Sequence, residues 1–417
     1  MNGLAGGDPR RGDAAGEGTP RGGRIGPAAI SFATGARAGS LRAPVDSAVV
    51  TSVALLTSLG IVMIYSSTAV EAPERLVPPH LLRHLGGLAI GLVLGLVAFR
   101  LPLARLRQLA LPAWAASVLL LLATLVAGTR VNGAQRWLEI PGLGTFQPSE
   151  FAKLATILAV GAVLASRSGR SAFTPRSLLL PVLLAGVPAG LLLLQPDMGS
   201  AVVILALAGM LVLLAGAPIR LFLLPGLVAA SGVAVYVAFR PYALRRVLGF
   251  LRPWETQQAE GYQLVQSFVA FGRGGLFGTG LGAGRQKLDY LPEHHTDFIL
   301  AIVGEELGLV GVLVVLGGFL ALLLAGTGIA RNARDRFALL VAAGMTLLRT
   351  LPAVINGMVV TGLLPTKGLA LPFLSYGRSS LIVCYLAVAL LLGIGCREGA
   401  PEPPKVGAAE RRGLLGT

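Results

Sequence analysis

Three carboxylates lie close together in an otherwise apolar part of this chain. The segment LPEHHTDFILAIVGEELG, residues 291–308, places Asp297 just before an apolar run that itself contains Glu305 and Glu306. An ionised carboxylate is costly in hydrocarbon, so acids at or inside a membrane span indicate catalysis or transport. Asp297, at the edge of such a span, has the ionised form that a general base requires. Glu305 and Glu306 each need a partner or a proton, and we predict that they support the site.

The residues around Asp297 admit a simpler structural role as well. Thr296 and Asp297 stand where a helix should begin, and either is predicted to cap it, because orphan amides and the positive helix end favour an oxygen acceptor. Capping and catalysis are compatible. His294 and His295 could shuttle protons, although loop histidines are more often solvated surface residues.

Charged residues interrupt other apolar segments too. Glu150 and Lys153 are three residues apart and share a helix face, which predicts an ion pair. Asp197 lies in a tight turn between two spans and is predicted either to cap the second span or to serve the site. Arg349 lies in the middle of a span and must find a carboxylate or a wet cavity. Its candidate partners are Glu150, Asp197, Glu305 and Glu306.

The composition is that of a polytopic membrane protein. The chain has 417 residues, of which 54% are hydrophobic and 13% charged, with a mean hydropathy of +0.74. Its net charge of +15 comes from Lys and Arg in short loops between apolar segments, which is the positive-inside pattern and not a nucleic-acid footprint. Cys384 and Cys396 lie in one predicted helix, too far apart to form a disulfide, and zinc-type spacings are absent from the sequence.

About ten transmembrane helices position these residues, each near the length that crosses hydrocarbon. The basic loops fall on one side of this arrangement together with both termini, which predicts cytoplasmic termini. Residues 1–45 are predicted to be a disordered cytoplasmic tail, residues 46–397 the membrane domain and residues 398–417 a cytoplasmic tail. The predicted spans are 46–67, 82–100, 108–127, 150–166, 177–194, 198–216, 220–238, 297–326, 337–360 and 379–396.

Two segments outside the spans are long or irregular. Residues 239–296 form an extracytoplasmic loop between the seventh and eighth spans, with an amphipathic stretch followed by closely spaced glycines. Residues 363–380, LLPTKGLALPFLSYGRSS, form an outside hairpin that holds Lys367 and Arg378. Irregular backbone at membrane depth must be sheltered by protein or line a cavity, so we predict a re-entrant segment here.

Five separated motifs resemble one membrane-protein family. They are NGAQRWLEIPGLGTFQPSEFAK, LQPDMGSA, QSFVAFGRGGLFGTGLGAGRQKLDYLPEHHTDF, GEELG and LPTKGLALPFLSYG, in this order. Together they resemble the SEDS family (shape, elongation, division and sporulation), and the resemblance spans residues 46–397. The motif forms are more similar to the division subfamily, FtsW, than to the elongation subfamily, RodA. Arg378 departs from the pattern, which has glycine there, and Arg349 lies outside the motifs.

The resemblance implies a peptidoglycan glycosyltransferase that polymerises lipid II outside the bacterial inner membrane, with Asp297 as its essential aspartate. A carboxylate would take the proton of the attacking sugar hydroxyl, and cations would stabilise the lipid pyrophosphate that leaves. A divalent cation, Mg²⁺ or Mn²⁺, is an alternative to basic side chains. Substrate-binding residues are predicted among Glu150, Lys153, Arg136, Arg246, Gln266, Arg285, Lys287, His295, Lys367 and Ser375.

Two other classes of function stay open at this point. Buried Glu305, Glu306 and Arg349 could line the translocation path of a lipid II flippase, although the richest polar cluster lies at the outer interface and not at the midplane. The chain could also be a scaffold, since the family works with a class B penicillin-binding protein and other divisome or elongasome membrane proteins. A nucleophile motif such as S-x-x-K in an external domain is absent, so crosslinking would need that transpeptidase.

Overall fold

The computed structural model describes residues 42–69, 74–131, 134–140, 144–167, 173–223, 241–288, 290–292, 295–366 and 368–398, with scattered positions between 224 and 240. Eight helices in this part of the chain are long and apolar enough to cross a membrane, and α6, of 17 residues, is a shorter apolar helix. The described helices are α1 (Arg42–Thr68), α2 (Pro79–Arg100), α3 (Leu103–Ala127), α4 (Pro148–Ser166), α5 (Pro175–Leu194), α6 (Met198–Leu214), α7 (Pro241–Leu251), α8 (Tyr262–Gly274), α9 (Ile299–Asn332), α10 (Arg336–Val360) and α11 (Arg378–Glu398).

The predicted polytopic, almost entirely helical fold is confirmed. Nine predicted spans coincide with α1 to α6 and α9 to α11, because long apolar runs define membrane helices strongly. The seventh predicted span, 220–238, is described only in part: it begins in a short 3₁₀ turn, Ile219–Phe222, and nine of its nineteen positions lie outside the described residues. Most of the predicted tails, residues 1–41 and 399–417, also lies outside them.

The bundle has central and peripheral helices. In their most apolar stretches, α4 and α10 are each 72% buried, whereas α3 is 22% buried and exposes its leucines. Helix α2 packs closely on α11 through Gly87, Gly91 and Gly95, where an added Cβ would meet Arg378, Ile382 or Tyr385. Small residues at i, i+4 and i+8 let two membrane helices approach, since lipid gives no hydrophobic drive for their association.

A small antiparallel sheet joins α3 to α4 and was not predicted from the sequence. Its strands are β1 (Thr129–Val131), β2 (Ala134–Ile140) and β3 (Gly144–Phe146), in the order β1-β2-β3. Thr129 is opposite Trp137, and Leu138 is opposite Phe146. Two of the strands have only three residues, so neither shows an alternating pattern long enough to be recognised.

The basic loops gather at one end of the bundle. Arg107, early in α3, lies 3.3 Å from Asp335, which caps α10. The guanidinium of Arg336 donates to the carbonyls of Arg167 and Ala215, after α4 and α6, and Arg397 of α11 donates to the carbonyl of Phe99. This agrees with the predicted common side of these loops.

Candidate functional site

Asp297 lies half-buried at the start of α9, among backbone contacts that fix its position. The amide of Asn356, on α10, donates to the carbonyls of Asp297 and Leu369 at 2.7 and 2.8 Å. The Asp297 carboxylate faces Gly368, where an added Cβ would lie 3.0 Å from Oδ2. Asn356 was not predicted as a site residue, yet it joins α10 to both segments that carry the site.

The segment after α10 wraps around residues 295–297, as the re-entrant prediction required. The backbone N–H of Tyr376 donates to the carbonyl of His295 at 2.9 Å, and the Ser375 hydroxyl donates to the carbonyl of Thr296. Residues 371–375 are buried although their backbone is irregular, so protein shelters their polar groups. Ser375, predicted to bind substrate, is 6% exposed and holds the loop in this structure.

The predicted cap of α9 is wrong. The helix begins at Ile299, and Phe298, whose side chain has no acceptor, takes the N-cap position. The reason lies in the contacts of residues 295–297, whose carbonyls all accept from Asn356, Ser375 or Tyr376. The backbone before the helix is therefore set by this tertiary packing and not by a capping turn.

Glu305 and Glu306 are fully buried and hold the glycine-rich part of the long loop. Glu306 accepts from the Lys287 ammonium at 2.7 Å, from the Ser66 hydroxyl and from the backbone N–H groups of Gly282 and Gly284. Glu305 accepts from the backbone N–H groups of Arg285 and Gln286, at 2.9 and 3.0 Å, and lies 3.6 Å from Arg273. These contacts fit the predicted supporting role of both glutamates.

The same loop completes the backbone hydrogen bonds of a broken helix. Helix α9 has non-helical dihedrals at Gly308, with φ of 67°. The N–H groups of Thr279 and Gly280 donate to the carbonyls of Glu305 and Glu306, and the N–H groups of Leu309 and Val310 donate to the carbonyls of Gly275 and Leu276. A kink in a membrane helix frees such groups, and the loop satisfies them.

The Lys287 ammonium is buried and binds other side chains of this protein. It was predicted among the cations that bind substrate, but it is 5% exposed and its ammonium contacts Glu306 and Ser66. Arg285, two residues earlier, has an exposed side chain and donates only its backbone N–H to Glu305. Of these two neighbouring cations, Arg285 is the exposed one, and its substrate contact stays a prediction.

A second buried cluster lies where α4, α10 and α11 meet. The Lys153 ammonium donates to the Glu150 carboxylate at 2.5 Å, which confirms the predicted ion pair. Arg349, on α10, is 2% exposed, and its Nη1 donates to the thiol of Cys384 on α11 at 2.8 Å. Of the four described carboxylates that the sequence offered as its partners, none lies within ion-pair distance of it.

Arg136 and Asp197 meet at the turn between α5 and α6. Asp197 accepts from the N–H of Ser200 at 3.1 Å and so caps α6, as predicted. Arg136, on β2, donates to the carbonyls of Gln195 and Pro196 and ties the sheet to this turn. Arg136 is half-buried, and its role toward substrate stays a prediction.

His295 packs in a ring cluster and does not stand free in solvent. Its ring centroid lies 5.6 Å from that of His80 on α2 and 5.8 Å from that of Tyr376. Gln266 is half-buried on α8, and its predicted substrate contact stays a prediction. Lys367, His294 and the side chain of Arg246 lie outside the described residues.

An apolar cavity of about 170 Å³ adjoins the segment that faces Asp297. It lies between α6, α10 and the re-entrant segment, and Leu369 belongs both to its wall and to the Asn356 contact that fixes Asp297. Its lining includes Gly199, Val202, Ile355, Val359, Leu364 and Leu369. Carboxylate, basic groups and an apolar space thus lie at one end of the bundle.

The family model and the similar proteins of known family all indicate the same protein family. Residues 46–398 match the family of FtsW, RodA and SpoVE, described as cell cycle proteins. The probable peptidoglycan glycosyltransferase FtsW of Trichlorobacter lovleyi is 42% identical over 358 residues, covering 84% of this chain and 92% of that protein. The protein of the same name from Coxiella burnetii is 40% identical over 357 residues, covering 84% and 95%. This chain belongs to the FtsW/RodA/SpoVE family.

Solved structures of similar fold agree with this membership. A chain of a peptidoglycan synthase complex that coordinates polymerization and crosslinking has 32% identity and a TM-score of 0.69, covering 84% of this chain and 97% of that chain. The rod shape determining protein RodA of Thermus thermophilus has 31% identity and a TM-score of 0.63, covering 85% and 97%. The five motifs of this FtsW/RodA/SpoVE-family chain lie before and at the start of α4, at the turn between α5 and α6, in α8 and the loop that follows it, within α9 and in the segment before α11.

A divalent cation has no evident ligand set in the part of this family member that the structure describes. Groups of three or more His, Cys, Asp or Glu side chains placed to hold a metal are absent from the described residues. Glu305 and Glu306, the nearest acids along the chain after Asp297, are engaged by the loop. The expected Mg²⁺ or Mn²⁺ stays a prediction.

Proposed function

We propose that this chain is a peptidoglycan glycosyltransferase of the division type that polymerises lipid II at the outer face of the bacterial inner membrane. Its relatives with about 40% identity carry the name FtsW and that activity. The observation that carries the proposal is the placement of Asp297, which is half-buried at a helix end and held by α10 and the re-entrant segment. A reactive group needs such fixed support to stay in position.

The Asp297 carboxylate would act as the general base. It would take the proton of the acceptor sugar hydroxyl as that oxygen forms a bond to the anomeric carbon of the donor. The bond between that carbon and the lipid pyrophosphate breaks, and the pyrophosphate leaves with the electron pair. Attack opposite the leaving group inverts an α-linked donor into a β-linked product without a covalent intermediate. Exposed cations, Arg285 first among them, would stabilise the leaving charge.

The apolar cavity supports a lipid-linked substrate. Its lining is made of aliphatic side chains, Gly199 and Pro365, and it adjoins the Asp297 site through Leu369. A cavity of about 170 Å³ is large enough for a few carbon units of a polyprenyl chain. Part of the lipid could lie there while the sugar and pyrophosphate reach the polar residues.

The contacts of the buried charges favour this function over lipid translocation. Glu305, Glu306 and Arg349 were the residues that could line a transport path. Both glutamates are closed off by the loop, and Arg349 is 2% exposed and contacts the Cys384 thiol. Side chains that are buried against other protein groups support the folded site, and they do not line a path through which a lipid could cross.

The expected partner is a class B penicillin-binding protein that supplies the transpeptidase. The similarity to a chain of a complex that coordinates polymerization and crosslinking supports a partner of this kind. Other divisome membrane proteins are expected as well. The exposed faces of α2 and α3, with Leu92, Val93 and Leu119 more than half exposed, meet either lipid or such partners.

Asp297→Asn tests the proposed base. The purified protein, given labelled lipid II, should make glycan polymer, and the variant should lose at least about a hundredfold in rate, because an amide cannot take the proton. Asp335→Asn is the matched control, since Asp335 caps α10 at the opposite end of the bundle and asparagine caps equally well. Polymer from Asp297→Asn at the wild-type rate would remove the base assignment, and lipid II transport without polymer would favour the flippase.

A further inference from the structure

A row of exposed apolar side chains runs along the outward face of α9 after its kink. Leu309 and Val310 are half-exposed, and the row continues through Leu313 to Leu324. Before the kink, residues 299–306 are all buried. Exposed leucine and valine side chains on a transmembrane helix form a surface that lipid tails can cover, since the tails are equally apolar. The lipid-facing surface of α9 therefore begins directly after the kink.

The glycine-rich loop after α8 places two more large apolar side chains at the upper end of this row. Leu276 and Phe277, which we call the loop tip, are 62% and 81% exposed. The Leu309 N–H donates to the carbonyl of Gly275 at 2.9 Å, and the Val310 N–H donates to that of Leu276 at 3.2 Å. These bonds hold the loop tip against the first exposed turn of α9. Apolar side chains of the loop and of the helix thus belong to one continuous surface.

The length of α9 indicates the depth of this surface in a bilayer. Leu309 and Arg331, which lies in the last turn of the helix, are 22 residues apart. At 1.5 Å per residue this distance is about 33 Å, close to the roughly 30 Å of hydrocarbon in a bilayer. With Arg331 at the headgroups of one leaflet, Leu309 and the loop tip lie where the hydrocarbon of the other leaflet begins.

The shape and charge around the loop tip favour lipid over a protein partner. Phe277 protrudes, and a fluid layer of acyl chains can surround a protruding side chain, whereas a docked helix packs its ridges into grooves of matching shape. Arg273, in the last turn of α8, is partly exposed and lies 3.6 Å from Glu305. An arginine next to an apolar tip can meet lipid phosphates while the tip enters the acyl chains.

We propose that Leu276 and Phe277 insert into the lipid leaflet at the Asp297 end of the bundle and attach the glycine-rich loop to the bilayer. The hydrophobic effect drives the insertion, because both side chains leave water. The loop then has two attachments, namely the lipid and the backbone hydrogen bonds to α9. Since the same loop encloses Glu305 and Glu306, the leaflet becomes part of what supports them. This lipid contact does not depend on the proposed reaction.

The accessibility of a spin label tests the insertion. Phe277→Cys is made in a Cys396→Ser background, where Cys384 stays buried. The full-length protein is labelled with a nitroxide and reconstituted in vesicles of phosphatidylethanolamine and phosphatidylglycerol. Collisions of the label with oxygen, which concentrates in lipid, and with a water-soluble nickel chelate then give its depth. We expect the label to meet oxygen more than the chelate, at a depth of about 5–10 Å, as for other interfacial apolar segments.

Two other exposed positions calibrate the measurement. Leu320→Cys lies in the middle of the α9 row and should report lipid, whereas Glu255→Cys, in the turn before α8, should report water. Leu276→Cys repeats the test at the second residue of the loop tip, and it carries the comparison if the Phe277 variant fails to fold. All four side chains are more than half exposed, so the label replaces few contacts.

Hydrogen exchange tests whether insertion holds the loop. The N–H groups of Thr279 and Gly280 donate to carbonyls of α9, and their exchange reports how often this contact opens. Phe277→Ser should raise their exchange rates severalfold in the same vesicles, because serine gains little from acyl chains. Phe277→Leu is the matched control, since it stays apolar, and it should exchange as the wild-type protein does.

Three results would overturn the proposed insertion or its role. A Phe277 label that meets the nickel chelate as the Glu255 label does would place the loop tip in water. A label that neither reagent reaches would show that protein, such as a second copy of this chain, covers the tip. Equal exchange rates in Phe277→Ser and Phe277→Leu would show that the inserted tip does not hold the loop. Each measurement is made without lipid II, so its result is independent of whether the protein makes glycan polymer.

Discussion

At the scale of single residues, the described structure separates fully buried charges that hold the fold from charged residues that are partly or fully exposed. Glu306 and Lys287 are both almost fully buried and in direct contact, with further hydrogen bonds from Ser66 and two loop amides. Asp297 is only half-buried, and Arg285 is exposed. Residues of the same charge type therefore have different surroundings, and this difference agrees with the supporting role proposed for Glu306 and the reactive role proposed for Asp297.

Removing one member of the Lys287–Glu306 pair should destabilise the protein strongly. Lys287→Met leaves the Glu306 carboxylate buried without its cation, and we expect a loss of about 3–5 kcal/mol in the free energy of unfolding. Adding Glu306→Gln removes the stranded charge and should restore part of the loss. Denaturant unfolding of the purified protein in detergent measures both effects, and strictly additive losses would show that the two groups are not coupled.

Residue contacts were predictable from the sequence only over short distances. The Glu150–Lys153 pair follows from helical spacing, and the Asp197 cap follows from its position before a span. The partners of Glu306 lie 19 and 240 residues away along the chain, so no periodicity reports them. The contact of Arg349 with Cys384 depends on how α10 and α11 pack, and no local pattern in the sequence predicts it.

At the scale of elements, residues 275–280 and the kinked part of α9 donate backbone hydrogen bonds to each other. This backbone exchange positions the long loop. Gly308 and Gly278 both have positive φ, 67° and 80°, and their backbones lie against each other. The loop supplies donors and acceptors that the broken helix lacks. Element positions were predictable where apolar runs were long, while the sheet and this exchange lay in segments without a strong periodic signal.

Gly278→Ala should disrupt this exchange. An added Cβ would overlap the carbonyl of Glu306, and the residue would also be strained at positive φ, so we expect a loss of more than about 2 kcal/mol in stability. Gly280→Ala separates the two effects, because its φ is 100° but its Cβ would meet open space. Its loss should be limited to about 1 kcal/mol of backbone strain.

Gly272→Ala is the control for this series, since Gly272 lies in helix α8 with open space around it and should tolerate or prefer alanine. Thermal unfolding of the three variants in one detergent measures their relative stabilities, and Gly278→Ala should be the least stable of them. Equal effects of Gly278→Ala and Gly280→Ala would mean that the close approach to Glu306 contributes nothing.

At the scale of the whole molecule, the two ends of the bundle differ in chemistry. One end gathers Arg107, Arg336 and Arg397 with the short loops, and the other carries the sheet, α8 and the re-entrant segment. The positive-inside rule predicts that the first end faces the cytoplasm. The general arrangement could be predicted from loop charges, because charge bias acts on the chain during insertion and does not depend on detailed packing.

Thiol labelling tests this orientation. In a Cys396→Ser background, where Cys384 stays buried, Leu288→Cys should react with a membrane-impermeant maleimide in intact spheroplasts, since Leu288 is 46% exposed on the outer loop. Arg105→Cys, at an exposed position in the first turn of α3, should react only after permeabilisation. The reverse pattern would invert the topology and place Asp297 on the cytoplasmic side.

The backbone exchange at Gly308 has a practical consequence for engineering this protein. A loop of nearly sixty residues would ordinarily be chosen to carry an epitope tag or a fluorescent insertion. Residues 275–287 are poor insertion points, because their amides and carbonyls complete the hydrogen bonding of a transmembrane helix and enclose its two acids. The turn residues 252–260, with exposed Arg252 and Glu255, are the better place for a reporter.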